Sequence, residues 1–65
     1  MDKIKQKRIE AGLTLRQAAE ATGLTSTTIW RHENGHRKVS ALAALAYHRL
    51  YGLPLEKLLR GRDAG

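Results

Sequence analysis

Residues 12–35 read GLTLRQAAEATGLTSTTIWRHENG, and most of the fold follows from them. Thr14 is a candidate helix N-cap, and Gln17 follows three residues later, at the spacing of a capping box. Gly23 comes after a run of helix-forming residues, and glycine readily takes the left-handed conformation that closes a helix. The pattern therefore predicts a short helix over 15–22 that ends at a glycine.

The second half of this stretch repeats the same signals. Thr25 is another candidate N-cap, which predicts a second helix over 26–33. Asn34 and Gly35 come directly after that helix and are expected to end it. The two helices are then joined by about three to four residues that include a glycine, which is the spacing of a helix-turn-helix motif.

The outer face of the helix over 26–33 has side chains that suit nucleic acid. Ile29 is the only aliphatic residue of this helix and is expected to point inward. The side chains left on the other faces are those of Ser26, Thr27, Trp30 and Arg31. Hydroxyls, an indole and a guanidinium can reach base edges, thymine methyls and phosphates, and such a helix suits a major groove. The alternative is an ordinary solvated helix face that includes one tryptophan.

The composition is that of a small basic domain. The 65 residues include 12 Lys and Arg against 6 Asp and Glu, which gives a net charge of +6. Such an excess attracts polyanions, nucleic acid first and an anionic membrane surface second, although a generally basic surface would give the same count. Helix formers dominate and no run of β-branched residues occurs, so the predicted fold class is all-α.

Several kinds of chemistry find no support in the sequence. No cysteine is present, and His32, His36 and His48 lack the spacing and the supporting carboxylates of a metal site. No catalytic set and no glycine-rich phosphate loop is found, so neither an enzyme nor a cofactor is predicted. No apolar run is long enough to span a bilayer and nothing resembles a signal peptide, so the expected location is cytoplasmic, at the nucleoid.

The N-terminal residues predict a further helix over 3–11, with Asp2 as its N-cap. Ile4 and Ile9 are the expected apolar anchors of this helix. Arg8 is expected close to the core side, where a guanidinium needs a carboxylate partner because an unpaired buried charge is costly.

A polar, basic loop over 34–39 follows the helix-turn-helix. Asn34, Arg37 and Lys38 are its candidates for contacts to a sugar–phosphate backbone, since backbone contacts of this kind set the register of a protein on DNA. The alternative is a simple exposed loop.

Two helices are predicted in the remaining part of the chain, over 41–51 after Ser40 as N-cap and over 55–60 after Pro54. The helix over 41–51 is apolar nearly all round, so it is expected to be buried on more than one side. It would then be a central helix or one that also meets a partner. Residues 61–65 are expected to form a polar tail.

Residues along most of the chain fit one known pattern. The matching positions are Ile4, Lys5, Arg8, Gly12-Leu13-Thr14, Ala18-Ala19, Gly23-Leu24-Thr25, Ile29, Glu33-Asn34-Gly35, Ser40 and 50–59. From Ile4 to Leu59 the chain resembles the phage-repressor/Cro-type (XRE-like) helix-turn-helix domain. The resemblance implies a compact five-helix domain with the lambda-repressor-like DNA-binding fold, whose third helix enters the major groove of double-stranded DNA.

The resemblance also implies roles for residues of the third helix. The base-reading positions of the family fall on Ser26, Thr27 and Arg31. Trp30 stands beside them at a position that is usually small or polar, so it is expected to cover a sugar or a thymine methyl or to pack against the preceding helix. We include it among the candidate base contacts.

Other family positions imply contacts to the DNA backbone and one ion pair. The backbone-contacting positions fall on Thr25, Asn34, Arg37 and Lys38. The first residue of the second helix is often a phosphate-contacting Gln, and here it is Leu15, so this contact is either lost or made by Arg16. The structural Arg–Glu pair of the family falls on Arg8 and Glu33.

The helix over 41–51 departs from the family pattern. His48 and Ala44 stand where Ala and Leu are common. The core is therefore expected to be repacked around Tyr47, with the surplus leucines, Leu42 and Leu45, displaced toward a surface.

The predicted function is sequence-specific binding of double-stranded DNA by a transcriptional regulator, and the predicted kind of regulator is a repressor. By analogy it would act as a homodimer, at least on DNA, at a palindromic operator. The alternative is an antitoxin or another protein-interaction module that uses the apolar faces of the helices over 41–51 and 55–60. A membrane-surface role is a weaker third reading because the basic residues are spread over several short helices.

Overall fold

Five helices and no strand occur within residues 3–63, the part of the chain that the computed structural model describes, with side chains described for 3–59. The helices are α1 (Lys3–Glu10), α2 (Leu15–Thr22), α3 (Ser26–Glu33), α4 (Ala41–Tyr51) and α5 (Leu55–Asp63). Each of α1 and α2 contacts both α3 and α4, and α5 packs on α4. The predicted all-α fold with a helix-turn-helix is confirmed.

The ends of α2 are set by hydrogen bonds to its flanking residues. Thr14 Oγ1 accepts from the Gln17 N–H at 3.0 Å, and the Thr14 N–H donates to Gln17 Oε1 at 2.9 Å, which completes a capping box. Gly23 follows the helix with a left-handed φ of 78°, and its N–H donates to the Ala19 carbonyl at 2.9 Å. The helix therefore begins and ends where the sequence pattern places it.

The C-terminal helix is longer than the sequence pattern predicts. α5 continues through Gly61 to Asp63, so the polar tail predicted for 61–65 is wrong over 61–63. The physical reason is that a glycine inside a helix costs only about 1 kcal/mol relative to alanine, which does not by itself end a helix.

The other difference in helix bounds is small. α1 ends at Glu10, one residue before its predicted end. The N-cap predicted at Asp2 lies outside the described residues, and so do residues 64–65 of the predicted tail.

The core is built around one tyrosine. Tyr47 is fully buried and clusters with Ile4, Ala43 and Leu53, which come from α1, α4 and the residues before α5. The half-buried side chains that pack against this cluster are those of Leu24, Val39, Tyr51 and Leu58. Tyr47 therefore lies at the centre of this cluster, as the sequence pattern predicts.

The expectation that Ile9 anchors α1 is wrong, because 59% of this residue is exposed. Ile4 is buried and Arg8 is partly buried, and these two residues are four apart on one helix face. Ile9 is five residues from Ile4, and at about 100° per residue it lies about 140° around the helix axis from it. An eight-residue helix on a small core buries one such face, and Ile9 falls outside it.

α4 is a central helix, the first of the two expected alternatives, because α1, α2 and α5 all pack against it. Its buried residues, Ala43, Ala44 and Tyr47, lie on one side of the helix. Leu42 is 80% exposed and Leu45 is 36% exposed, as expected for residues displaced toward a surface.

Candidate nucleic-acid interface

The third helix is held in place by its inner side and by the turn before it. Ile29 is fully buried, as predicted, and Ala18 of α2 is also fully buried. The Thr25 hydroxyl caps α3 by accepting from the Thr28 N–H at 3.1 Å. With its inner side packed and its first turn capped, α3 presents a fixed outer face.

An ion pair ties the end of α3 to α1. Arg8 Nε donates to Glu33 Oε2 at 2.8 Å, and Arg8 Nη2 donates to Glu33 Oε1 at 3.1 Å, so both carboxylate oxygens are bound. The guanidinium also donates from Nη1 to the Leu13 carbonyl at 3.0 Å. The side chains are only 13% and 2% exposed, and the hydrogen bonds to Glu33 raise the pKa of Arg8. These contacts fit a structural role rather than a role at the surface.

The outer face of α3 is exposed at all four positions that the sequence analysis assigns to base contacts: Ser26, Thr27, Trp30 and Arg31. Trp30 is 46% exposed. One side of its indole is covered by the imidazole of His36, whose ring centroid lies 5.3 Å away with the two planes only 9° apart. His36 therefore belongs to this surface, and the sequence analysis missed it.

The turn after α3 explains this stack. The His36 N–H donates to the Arg31 carbonyl at 2.9 Å and the Gly35 N–H donates to the His32 carbonyl at 3.3 Å, while Gly35 has a left-handed φ of 73°. These are the two hydrogen bonds of a Schellman motif, in which the residue after the left-handed glycine often contacts the last turn of the helix. The contact here is the stack on Trp30, so the signal lay in the spacing of Trp30, Gly35 and His36.

The candidate phosphate contacts are of two kinds. Arg37 and Lys38 are exposed, and Arg16 is 89% exposed with only a 4.0 Å approach to Glu20, so these three cations are available to a ligand. The other two candidates are already bound within the chain. Thr25 Oγ1 donates to Thr28 Oγ1 at 2.8 Å, and Asn34 Nδ2 donates to the Trp30 carbonyl at 2.8 Å.

A buried histidine lies beneath this surface. His32 Nδ1 is 2.7 Å from the Tyr47 hydroxyl, and the two rings meet edge to face at 5.6 Å. Burial, and next the positive charge of Arg37, lower the pKa of His32. The imidazole is therefore neutral near pH 7 and serves as a packing and hydrogen-bonding group of the core.

The part of the chain that the structure describes has neither a metal-binding cluster nor a membrane-spanning helix. No group of three His, Cys, Asp or Glu side chains there is arranged to hold a metal ion. None of the described helices has the length and apolar character needed to cross a membrane.

The fold and this surface define a helix-turn-helix protein whose third helix has an exposed polar outer face followed by a basic loop. A family model described as a helix-turn-helix domain matches residues 2–62, nearly the whole chain, so the chain belongs to this family. No curated protein and no solved structure matches it. Membership of this family indicates a DNA-binding regulator.

Proposed function

We propose that this protein is a sequence-specific transcriptional regulator of the XRE-like kind and that it acts as a repressor. It would bind double-stranded DNA with α3 in the major groove. The main support is the division of α3 into a fully buried Ile29 and an exposed outer face that contains Ser26, Thr27 and Arg31. A helix fixed on its inner side can present such side chains to base edges in a constant register. A cytoplasmic, nucleoid-associated location accompanies this proposal.

Arg31 is the proposed guanine-reading residue. It is exposed on the outer face of α3, and arginine bound to guanine O6 and N7 is the commonest specific contact in the major groove. Ser26 and Thr27 occupy the first turn of the same helix and would add hydrogen bonds or contacts to a thymine methyl. Trp30 would complete the base-contacting set.

Contacts to the DNA backbone would set the register. Arg16, Arg37 and Lys38 have exposed cationic side chains that suit phosphate oxygens. Thr25 and Asn34 already use side-chain donors within the chain, and the Asn34 backbone N–H also donates to the Trp30 carbonyl. A phosphate contact from Asn34 would therefore use the second hydrogen of its Nδ2 or an exchange of these hydrogen bonds, and one from Thr25 would use its backbone N–H or the same kind of exchange.

The test begins with selection of duplexes from a randomised pool by the purified chain. We expect one enriched motif, with palindromic half-sites about one helical turn apart if the protein acts as a homodimer on DNA. Arg31→Ala should then cost about 1–3 kcal/mol of binding and relax preference at one or two positions of the motif.

Arg49→Ala is the matched control, because it removes an exposed arginine from α4 rather than from α3. It should leave the ranking of motif variants unchanged. Enrichment of no motif would overturn the proposed function, and an unchanged ranking in Arg31→Ala would overturn the role of Arg31.

A second candidate function is that of an antitoxin or another protein-interaction module. It is favoured by the exposure of Leu42 and Leu45 on α4, which leaves two large apolar side chains in solvent. Substituting both with Gln should then abolish binding to a protein partner and leave DNA binding unchanged. If the double substitution weakens only DNA binding, the two leucines serve a dimer on DNA instead.

A further inference from the structure

A shallow depression lies between the beginning of α2 and the outer face of α3. Its lining residues are Thr14, Leu15, Arg16, Ser26, Thr27 and Trp30. The indole and the half-buried Leu15 contribute apolar surface, and three of the remaining residues contribute hydroxyl groups. The depression therefore suits a small apolar group attached to a polar molecule.

The indole that forms one wall is held in one orientation. The His36 ring stacks nearly parallel on it, and the Schellman turn at Gly35 brings the two rings together. Stacking covers part of Trp30 on the side of His36, yet 46% of the residue stays exposed. Of the few rotamers that a helix allows to a tryptophan, the stack favours the one seen here, and this helps to preserve the shape of the depression.

We propose that this depression receives the 5-methyl group of one thymine of the DNA site and that His36 is a positioning residue for Trp30. This inference depends on the proposed function, because the methyl must be presented by a duplex lying against α3. Among the base edges in the major groove, thymine is the one that presents a methyl group. Arg16 lines the same depression with a side chain that is 89% exposed, so a phosphate can be bound next to the methyl.

The first experiment removes only the methyl group. In the selected duplex each thymine is replaced in turn by deoxyuridine, and the Kd of the full chain is measured for each duplex. One position per half-site should lose about fourfold in affinity, the effect of one methyl-sized group withdrawn from apolar contact. Deoxyuridine at the other thymines should leave the Kd unchanged.

Protein variants then test whether the methyl of the sensitive thymine contacts the indole of Trp30. Trp30→Ala should bind the thymine and deoxyuridine duplexes equally well at the sensitive position. Ile9→Ala is the control, because it removes a comparably exposed apolar side chain from α1. It should keep the fourfold preference.

The role of His36 is tested by replacing its imidazole with another flat ring that can stack on the indole. His36→Ala should bring the thymine-to-deoxyuridine preference close to one, and His36→Phe should restore it because a phenyl ring can stack on the indole. The chain contains a single tryptophan, so its fluorescence reports this stack directly. The emission maximum should move in His36→Ala and return toward the wild-type value in His36→Phe.

Three results would overturn the inference, and they are distinguishable. A selected motif in which no thymine is sensitive to loss of its methyl would leave the proposed function intact and show that Trp30 covers a sugar or only protein. A preference that survives in Trp30→Ala would place the methyl elsewhere, and one that survives in His36→Ala would remove the positioning role. Failure to select any motif would overturn the proposed function and this inference with it.

Discussion

His32 couples the core to the surface that faces the proposed ligand. Its imidazole is 7% exposed, lies under the third helix and bonds to the hydroxyl of Tyr47, the residue around which the core is packed. Tyr47 in turn stacks on Tyr51, whose hydroxyl is buried without a hydrogen-bond partner among the described residues. A charge introduced at His32 would therefore arise in a poorly solvated part of the core.

The lowered pKa of His32 predicts loss of stability in mild acid. Burial is the main cause and the charge of Arg37 is the second, and both disfavour the imidazolium in the folded protein. The unfolded chain, with an ordinary histidine pKa of about 6.5, then binds more protons than the folded one. The contribution of neutral His32 to the free energy of unfolding is present above pH about 6.5 and is lost as the pH falls below that value. Urea unfolding midpoints measured between pH 7.5 and 5.5 would show this loss.

Two histidine variants isolate the contribution of His32. His32→Asn keeps a polar group close to the position of Nδ1 but does not titrate, so its midpoint should change less with pH than that of the wild type. His36→Asn removes an exposed histidine instead of the buried one, and its pH dependence is measured beside that of His32→Asn. Equal pH dependence in the wild type and His32→Asn would contradict the prediction.

The helices show how much of the fold short-range signals determine. Thr14, Thr25 and Ser40 each cap a helix with the side-chain oxygen, so the beginnings of α2, α3 and α4 could be predicted from single residues. The orientation of Ile9 could not, because it depends on which face of α1 meets the core. The end of α5 could not either, because Gly61 is compatible with both a helix and a stop.

Some features of the candidate interface could be predicted from the sequence and others could not. Burial of Ile29 and exposure of Arg31 follow from the helical period, and both could be predicted. The partnership of Trp30 with His36 is signalled only by their spacing around Gly35, and that spacing predicts the contact only if Gly35 forms a Schellman turn. The path of that turn is set by backbone hydrogen bonds rather than by the character of either side chain.

Substitution of Gly35 tests whether the turn after α3 depends on a left-handed backbone conformation. The φ of 73° is left-handed, and a Cβ built there would have no atom within 4 Å, so only the backbone conformation opposes a side chain. Gly35→Ala should lower the free energy of unfolding by about 1–2 kcal/mol, and Gly35→Asn should cost less because asparagine tolerates this conformation better. Urea unfolding followed by circular dichroism would measure both.

The fluorescence of Trp30 gives an independent readout of the same substitutions. If the turn opens to relieve the strain in Gly35→Ala, the emission should change in the direction seen for His36→Ala. Alanine and asparagine variants that are both as stable as the wild type would show that the turn does not need a left-handed residue.

Three exposed cations lie in one short segment beside the outer face of α3. The segment 31–38 contains Arg31, Arg37 and Lys38, and its one acidic residue, Glu33, is buried and bound to Arg8. This segment therefore presents three exposed positive charges with no exposed acid among them. With Glu33 counted, its net charge is +2 of the chain's +6, and its exposed charges all lie beside the outer face of α3.

The salt dependence of DNA binding should reveal which of these charges meet phosphate. Each phosphate neutralised by a lysine or arginine adds about 0.9 to the slope of log affinity against log salt concentration, through release of counterions. Arg37→Ala and Lys38→Ala should therefore each reduce the slope by about 1 per half-site while weakening all sequences alike. Binding titrations on the selected duplex at several salt concentrations would measure this.

Lys57→Ala supplies the matched comparison, since it removes an exposed lysine from α5 and the same unit of net charge. A slope that depended only on the net charge of the protein would fall equally in all three variants. If the loop lies along the DNA backbone, the salt slope should fall clearly in Arg37→Ala and Lys38→Ala and hardly at all in Lys57→Ala. If the reverse were found, DNA would approach the molecule from the side of α5, and the placement of α3 in the major groove would be wrong.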